Sequence, residues 1–107
     1  MKRLKLIELW KPNCEDCEAA EPVISELEKE GFEFEKHNIA EPSGQKLWDE
    51  YAEKIDEYSK LQGWEAGYIY TPTFINPKSG KVIVYANRPP TKEELIGLAG
   101  ITSYLEK

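Results

Sequence analysis

Between residues 4 and 37 the chain lays out an apolar strand, a helix and a second strand, an order that leaves few folds open. Leu4 to Leu9 is mostly apolar, as in a strand covered on both faces. Ala20, Val23, Ile24 and Leu27 then recur at helical spacing, and Gly31 is a good helix stop. Phe32 to His37 alternates apolar and charged residues, the period of a half-exposed strand. A helix crossing between two such strands implies parallel pairing through a right-handed connection. Two residues break the pattern. Glu8 puts a charge in the first strand, and Pro22 predicts a bend in the helix.

The second half completes a sheet. Glu41-Pro42-Ser43-Gly44 reads as a turn, and Leu47, Trp48, Tyr51, Ala52, Ile55 and Tyr58 mark one face of a helix from Gln45 to about Leu61. Gln62 to Tyr70 is a loop with two glycines. Thr73–Asn76 and Lys81–Tyr85, joined by Pro77-Lys78-Ser79-Gly80, predict an antiparallel hairpin. Thr91-Lys92-Glu93-Glu94 matches a capping box and opens a helix with Leu95, Ile96 and Leu98 facing inward. The tail past Ile101 is expected to fray or to form a separate short turn. The order is β-α-β-α-β-β-α: an α/β fold, four strands in a mixed sheet flanked by helices, in a single domain over residues 1–107.

Composition narrows the function classes. A net charge of -6 argues against a nucleic-acid partner, because phosphate binding needs clustered Lys and Arg. The basic start Met1-Lys2-Arg3 is followed by an apolar run that Lys5 and Glu8 interrupt, so no leader peptide or membrane span is expected. The expected location is the cytoplasm, where two close cysteines are more often catalytic or metal-binding than structural.

Cys14 and Cys17 are the only cysteines. They open the first helix, with Asn13 placed to cap it. Free backbone N–H groups and the positive end of the helix dipole favour a thiolate at Cys14. Cys17, one turn on, faces the same side, so the sulfurs can form and break an intramolecular disulfide. The pattern points to dithiol chemistry with Cys14 attacking and Cys17 resolving. Two other readings stay open: a metal or iron–sulfur half-site shared across a dimer, and a binding module with an inert pair. A four-ligand metal site needs two more ligands, and His37, the single histidine, falls far from the pair and is assigned no role. Glu15 and Asp16 crowd a thiolate with negative charge and so favour the disulfide, which predicts a reductant.

Other segments extend the site. Buried beneath the pair, Glu8 would have a raised pKa and would take the proton from Cys17; on an exposed strand it would only be solvated. Thr71-Pro72-Thr73 stands just before a central strand, and a cis bond at Pro72 would expose the Thr71 backbone beside the sulfurs. Trp64, Tyr68 and Tyr70 are read either as an aromatic wall for protein substrates or as core under the long helix.

Glu8, Trp10, the C-x-x-C pair, Pro22 five residues after Cys17, Pro72-Thr73 and the Gly80 turn occur in an order that resembles the thioredoxin superfamily. The resemblance covers nearly the whole chain and implies a thioredoxin-like fold and thiol–disulfide oxidoreductase activity. It also implies that Glu8 replaces the usual buried Asp and that Pro72 is cis. The absence of an N-terminal strand and helix brings the order closer to the minimal glutaredoxin-like form. Departures are Asn13 before the pair, Glu15-Asp16 within it, and Ala86 to Pro90 where a glutathione-binding Gly-Gly-x-Asp segment would stand. The expected catalytic residues are Cys14, Cys17 and Glu8; the expected substrate-binding residues are Trp10, Pro12, Asn13, Tyr70, Thr71 and Pro72. No bound cofactor or metal is called for. The expected partners are disulfide-containing proteins or small thiols and a reductase or thiol donor, acting on a monomer with no membrane or nucleic-acid partner.

Overall fold

In the computed structural model, which describes residues 4–68 and 70–100, β1 (Leu4–Trp10) lies inside the sheet with a neighbour on each side. It is followed by α1 (Glu15–Lys29), β2 (Phe32–Asn38), α2 (Pro42–Leu61), β3 (Thr73–Ile75), β4 (Val82–Val84) and α3 (Lys92–Leu98). The four strands are ordered β2-β1-β3-β4. β1 runs parallel to β2 and antiparallel to β3, and β3 pairs antiparallel with β4. The mixed α/β topology expected from the element order is the one observed.

Because β1 is interior, its alternate residues enter two different cores. Leu6 packs with Ala20, Ile24, Phe34, Phe74 and Leu95, the cluster that α1 and α3 cover. Ile7 and Leu9 pack with Ile55, Ile75 and Val84 under α2. Glu8 shares the face of Leu6, one step nearer the C-terminal end of the strand, and this explains its burial. Each fully buried aliphatic side chain in these layers contributes roughly 1.5–3 kcal/mol.

Several boundaries differ from the sequence expectation for local reasons. Residues 42–44 are not a turn but the start of α2, with Pro42 in the first helical turn where a missing N–H costs nothing. Gly44 is needed there, because a Cβ at this position would overlap the backbone carbonyl of Asn38. α1 keeps its expected extent and continues unbroken through the exposed Pro22, where the sequence predicts a bend and not an end. Asn76 leaves β3: its Oδ1 accepts from Lys78 and Ser79 N–H at 2.9 and 3.4 Å, and its Nδ2 donates to Leu98 O. Those bonds shape the turn and shorten both hairpin strands. The Thr91–Glu94 capping box forms as read from the sequence. The tail past Ile101 lies outside the described residues.

Candidate active site

The C-terminal end of β1 turns sharply into α1. Asn13 adopts a left-handed backbone (φ 58°), which Asn tolerates better than most residues. Its exposed side chain does not cap α1. That task falls to Cys14, whose Sγ accepts the Cys17 N–H at 3.1 Å. A sulfur in this position meets one of the helix's free donors at the positive end of its dipole. Cys14 and Cys17 are joined as a disulfide with Cα atoms 5.2 Å apart, and both are buried, at 7% exposure.

Thr71, remote in sequence, closes over the pair. Its Oγ1 lies 3.3 Å from Cys14 Sγ and its carbonyl 3.7 Å away. With the sulfur oxidised, the hydroxyl is the donor. The Thr71–Pro72 peptide is cis. Sequence reasoning assigned Thr71 a backbone role only and missed the hydroxyl; a polar β-branched residue before the proline is the signal that was there.

Glu8 lies beneath the pair at 1% exposure, and its Oε2 has no hydrogen-bond partner among the described residues. Burial lifts its carboxyl to about 7; the negative charge of Glu21 adds to the effect and Lys36, its register partner on β2, opposes it. A cavity of about 230 Å³ opens beside the disulfide, with Glu8, Cys14, Cys17 and the Trp10–Asn13 turn in its lining. The structure thus brings Glu8, Trp10, Pro12 and Asn13 to one hollow beside the disulfide. It adds three lining residues that the sequence reading left out, Lys11, Glu18 and Glu21. The last two are one turn apart on α1, and that spacing was their signal.

Of the aromatic residues, Trp64 and Tyr70 pack against the Ile55 cluster, with ring centroids 5.4 Å apart. Tyr70, expected to bind substrate, therefore places its ring in core packing. Tyr68 stacks on Tyr70 and stays exposed. His37 sits between Glu35 (2.7 Å) and Ser43 (3.1 Å), a contact between β2 and α2. Among the described residues no group of three or more His, Cys, Asp or Glu is arranged to hold a metal ion, and no helix is long and apolar enough to cross a membrane.

A family model, the glutaredoxin-like domain (DUF836), matches residues 5–60, more than half of the chain. The chain belongs to the glutaredoxin-like family, within the thioredoxin superfamily. The matched residues hold Glu8, Cys14 and Cys17 and end short of Thr71. No curated protein matches the chain. Among solved structures, the first two thioredoxin domains of Saccharomyces cerevisiae Eps1p are similar at 24% identity, over 92% of this chain and 34% of that one, with a TM-score of 0.40. The chain spans only that share of the other structure's length. In this glutaredoxin-like domain, a disulfide-bonded cysteine pair at a helix N-terminus and a buried carboxyl, whose Oε2 has no hydrogen-bond partner among the described residues, share one site.

Proposed function

We propose that the protein is a thiol–disulfide oxidoreductase that works by dithiol exchange, with Cys14 as nucleophile, Cys17 as resolving thiol and Glu8 as proton acceptor. The observation that carries this reading is the setting of Cys14 Sγ. It is bonded to Cys17 while accepting the Cys17 N–H and facing the Thr71 hydroxyl. On reduction the same two donors would stabilise a thiolate.

In the reduced protein the Cys14 thiolate attacks one sulfur of a substrate disulfide. A Cys14–substrate bond forms, the substrate S–S bond breaks, and the first substrate thiolate leaves and takes a proton from solvent. Cys17 then gives its proton to the Glu8 carboxylate and attacks Cys14 Sγ. The Cys14–Cys17 bond forms, the mixed disulfide breaks, and the second substrate sulfur leaves, protonated in turn from Glu8 through the cavity. Two electrons pass from the cysteine pair to the substrate. A reductase or small thiol returns them, and no bound cofactor takes part. Trp10, Pro12, Asn13 and the Thr71-Pro72 segment would hold the substrate chain, with Tyr70 supporting that segment. The negative charge of Glu15 and Asp16 favours the disulfide and makes the protein a reductant. It would act in the cytoplasm as a monomer.

The test is a trap. Cys17→Ser, reduced and mixed with a peptide disulfide, should accumulate a mixed disulfide on Cys14 that intact-mass measurement detects, and Cys14→Ser should not. Absence of any adduct on Cys17→Ser contradicts the reading.

A further inference from the structure

The cavity beside the disulfide has a charge balance that a substrate must match. Three carboxyl groups line it, those of Glu8, Glu18 and Glu21, against one cation, Lys11. Acidic side chains on a helix face are ordinary when solvated. Here the innermost is Glu8, 1% exposed, with Oε2 lacking a hydrogen-bond partner among the described residues, an arrangement that is costly unless something meets it. Glu18 is exposed and forms no ion pair among the described residues. Glu21 bonds Lys36 at 3.3 Å with both partners well exposed, a weak pair that a competing cation can displace. The volume of about 230 Å³ is enough for one long side chain and too small for a folded element.

We infer that this cavity is a subsite for a basic side chain, Lys or Arg, flanking the substrate cysteine, so that the substrates are polypeptide disulfides in a cationic sequence setting. The inference rests on the oxidoreductase reading and narrows its substrate class. A guanidinium or ammonium entering between α1 and the Trp10–Asn13 turn would reach Glu18 and Glu21 at the mouth and offer a donor toward Glu8 at the floor. Its apolar stem would lie along Trp10. The cysteine next to that residue would then stand at Cys14, which lines the same cavity.

The test uses two peptide disulfides identical except for the residues flanking the cysteine, arginine in one and glutamine in the other. At low ionic strength kcat/KM should favour the arginine peptide by about tenfold, the scale of one charge-assisted hydrogen bond. The preference should shrink as salt is raised. In the double variant Glu18→Gln/Glu21→Gln the ratio of the two rates should collapse toward one, a change that a purely structural role of these residues would not produce. Equal turnover of both peptides by the wild-type protein, or an unchanged ratio in the double variant, overturns the subsite and leaves the oxidoreductase reading standing. Failure to reduce either peptide overturns both.

Discussion

Two glutamates, Glu8 on β1 and Glu94 on α3, make a useful contrast. Glu94, in the first turn of α3, is surrounded by donors. Arg88 reaches both its oxygens at 2.9 and 2.7 Å, and the Thr91 N–H and hydroxyl and the Tyr85 hydroxyl lie within 3.0–3.3 Å. Those contacts, the Arg88 bond first among them, draw its carboxyl down to about 2. Glu8 is more deeply buried, has no hydrogen-bond partner for Oε2 among the described residues, and is pushed up to about 7. The first carboxylate stabilises a corner of the fold. The second costs stability whenever it is charged, and it does so beside two cysteines, which is the pattern of a group kept for chemistry.

The largest expected effect comes from removing that cost. Glu8→Gln should raise stability above pH 7 by up to about 3 kcal/mol, the difference between an ordinary carboxyl and one near 7. The same change should slow resolution of a mixed disulfide by roughly a hundredfold. Denaturant melts and single-turnover decay measure the two. The contrast also predicts opposite slopes with pH. Glu8 holds its proton more tightly folded than unfolded, so its contribution is full below about pH 4.5 and is lost as pH rises through about 7. Glu94 releases its proton more readily when folded, so its contribution is present above about pH 4.5 and is lost as pH falls through about 2. Stability against pH should therefore descend on both sides, and Glu8→Gln should flatten the limb between 4.5 and 7 only.

Smaller effects sharpen the same division. Glu94→Gln should cost about 1 kcal/mol at neutral pH, from weakened capping and loss of the Arg88 pair, and leave disulfide exchange unaltered. If it slows exchange as much as Glu8→Gln does, the two carboxyls are not as different as their surroundings suggest. Thr71→Val keeps the shape and removes the hydroxyl facing Cys14 Sγ. Attack by Cys14 should slow only several-fold, since one neutral hydrogen bond is worth about 1 kcal/mol.

Glu94 was legible from the sequence because its partners are local: Thr91 is three residues away and the capping box is a short pattern. The order of strands and helices was legible for the same reason, being carried by periods of two and 3.6 residues. Cys14 and Cys17 announced themselves by spacing. What the sequence did not reveal depends on three-dimensional placement. Pro42-Ser43-Gly44 has turn composition, yet Pro42 equally suits a first helical turn, and only the packing of Gly44 on Asn38 decides between them. Asn13 is a better N-cap than Cys14 by side-chain chemistry, but its left-handed backbone gives the position to the sulfur. The Thr71 hydroxyl meets Cys14 across 57 residues of sequence, and the residue type before Pro72 hints at a polar contact without naming the partner atom.

The most direct test of the claim that Glu8 takes the proton of Cys17 is the decay of a mixed disulfide preformed on Cys14, followed against pH in the wild-type protein and in Glu8→Gln. The rate in the wild-type protein should rise with pH along a limb centred near 7, and that limb should be missing from the variant. Superimposable profiles would contradict the role given to Glu8.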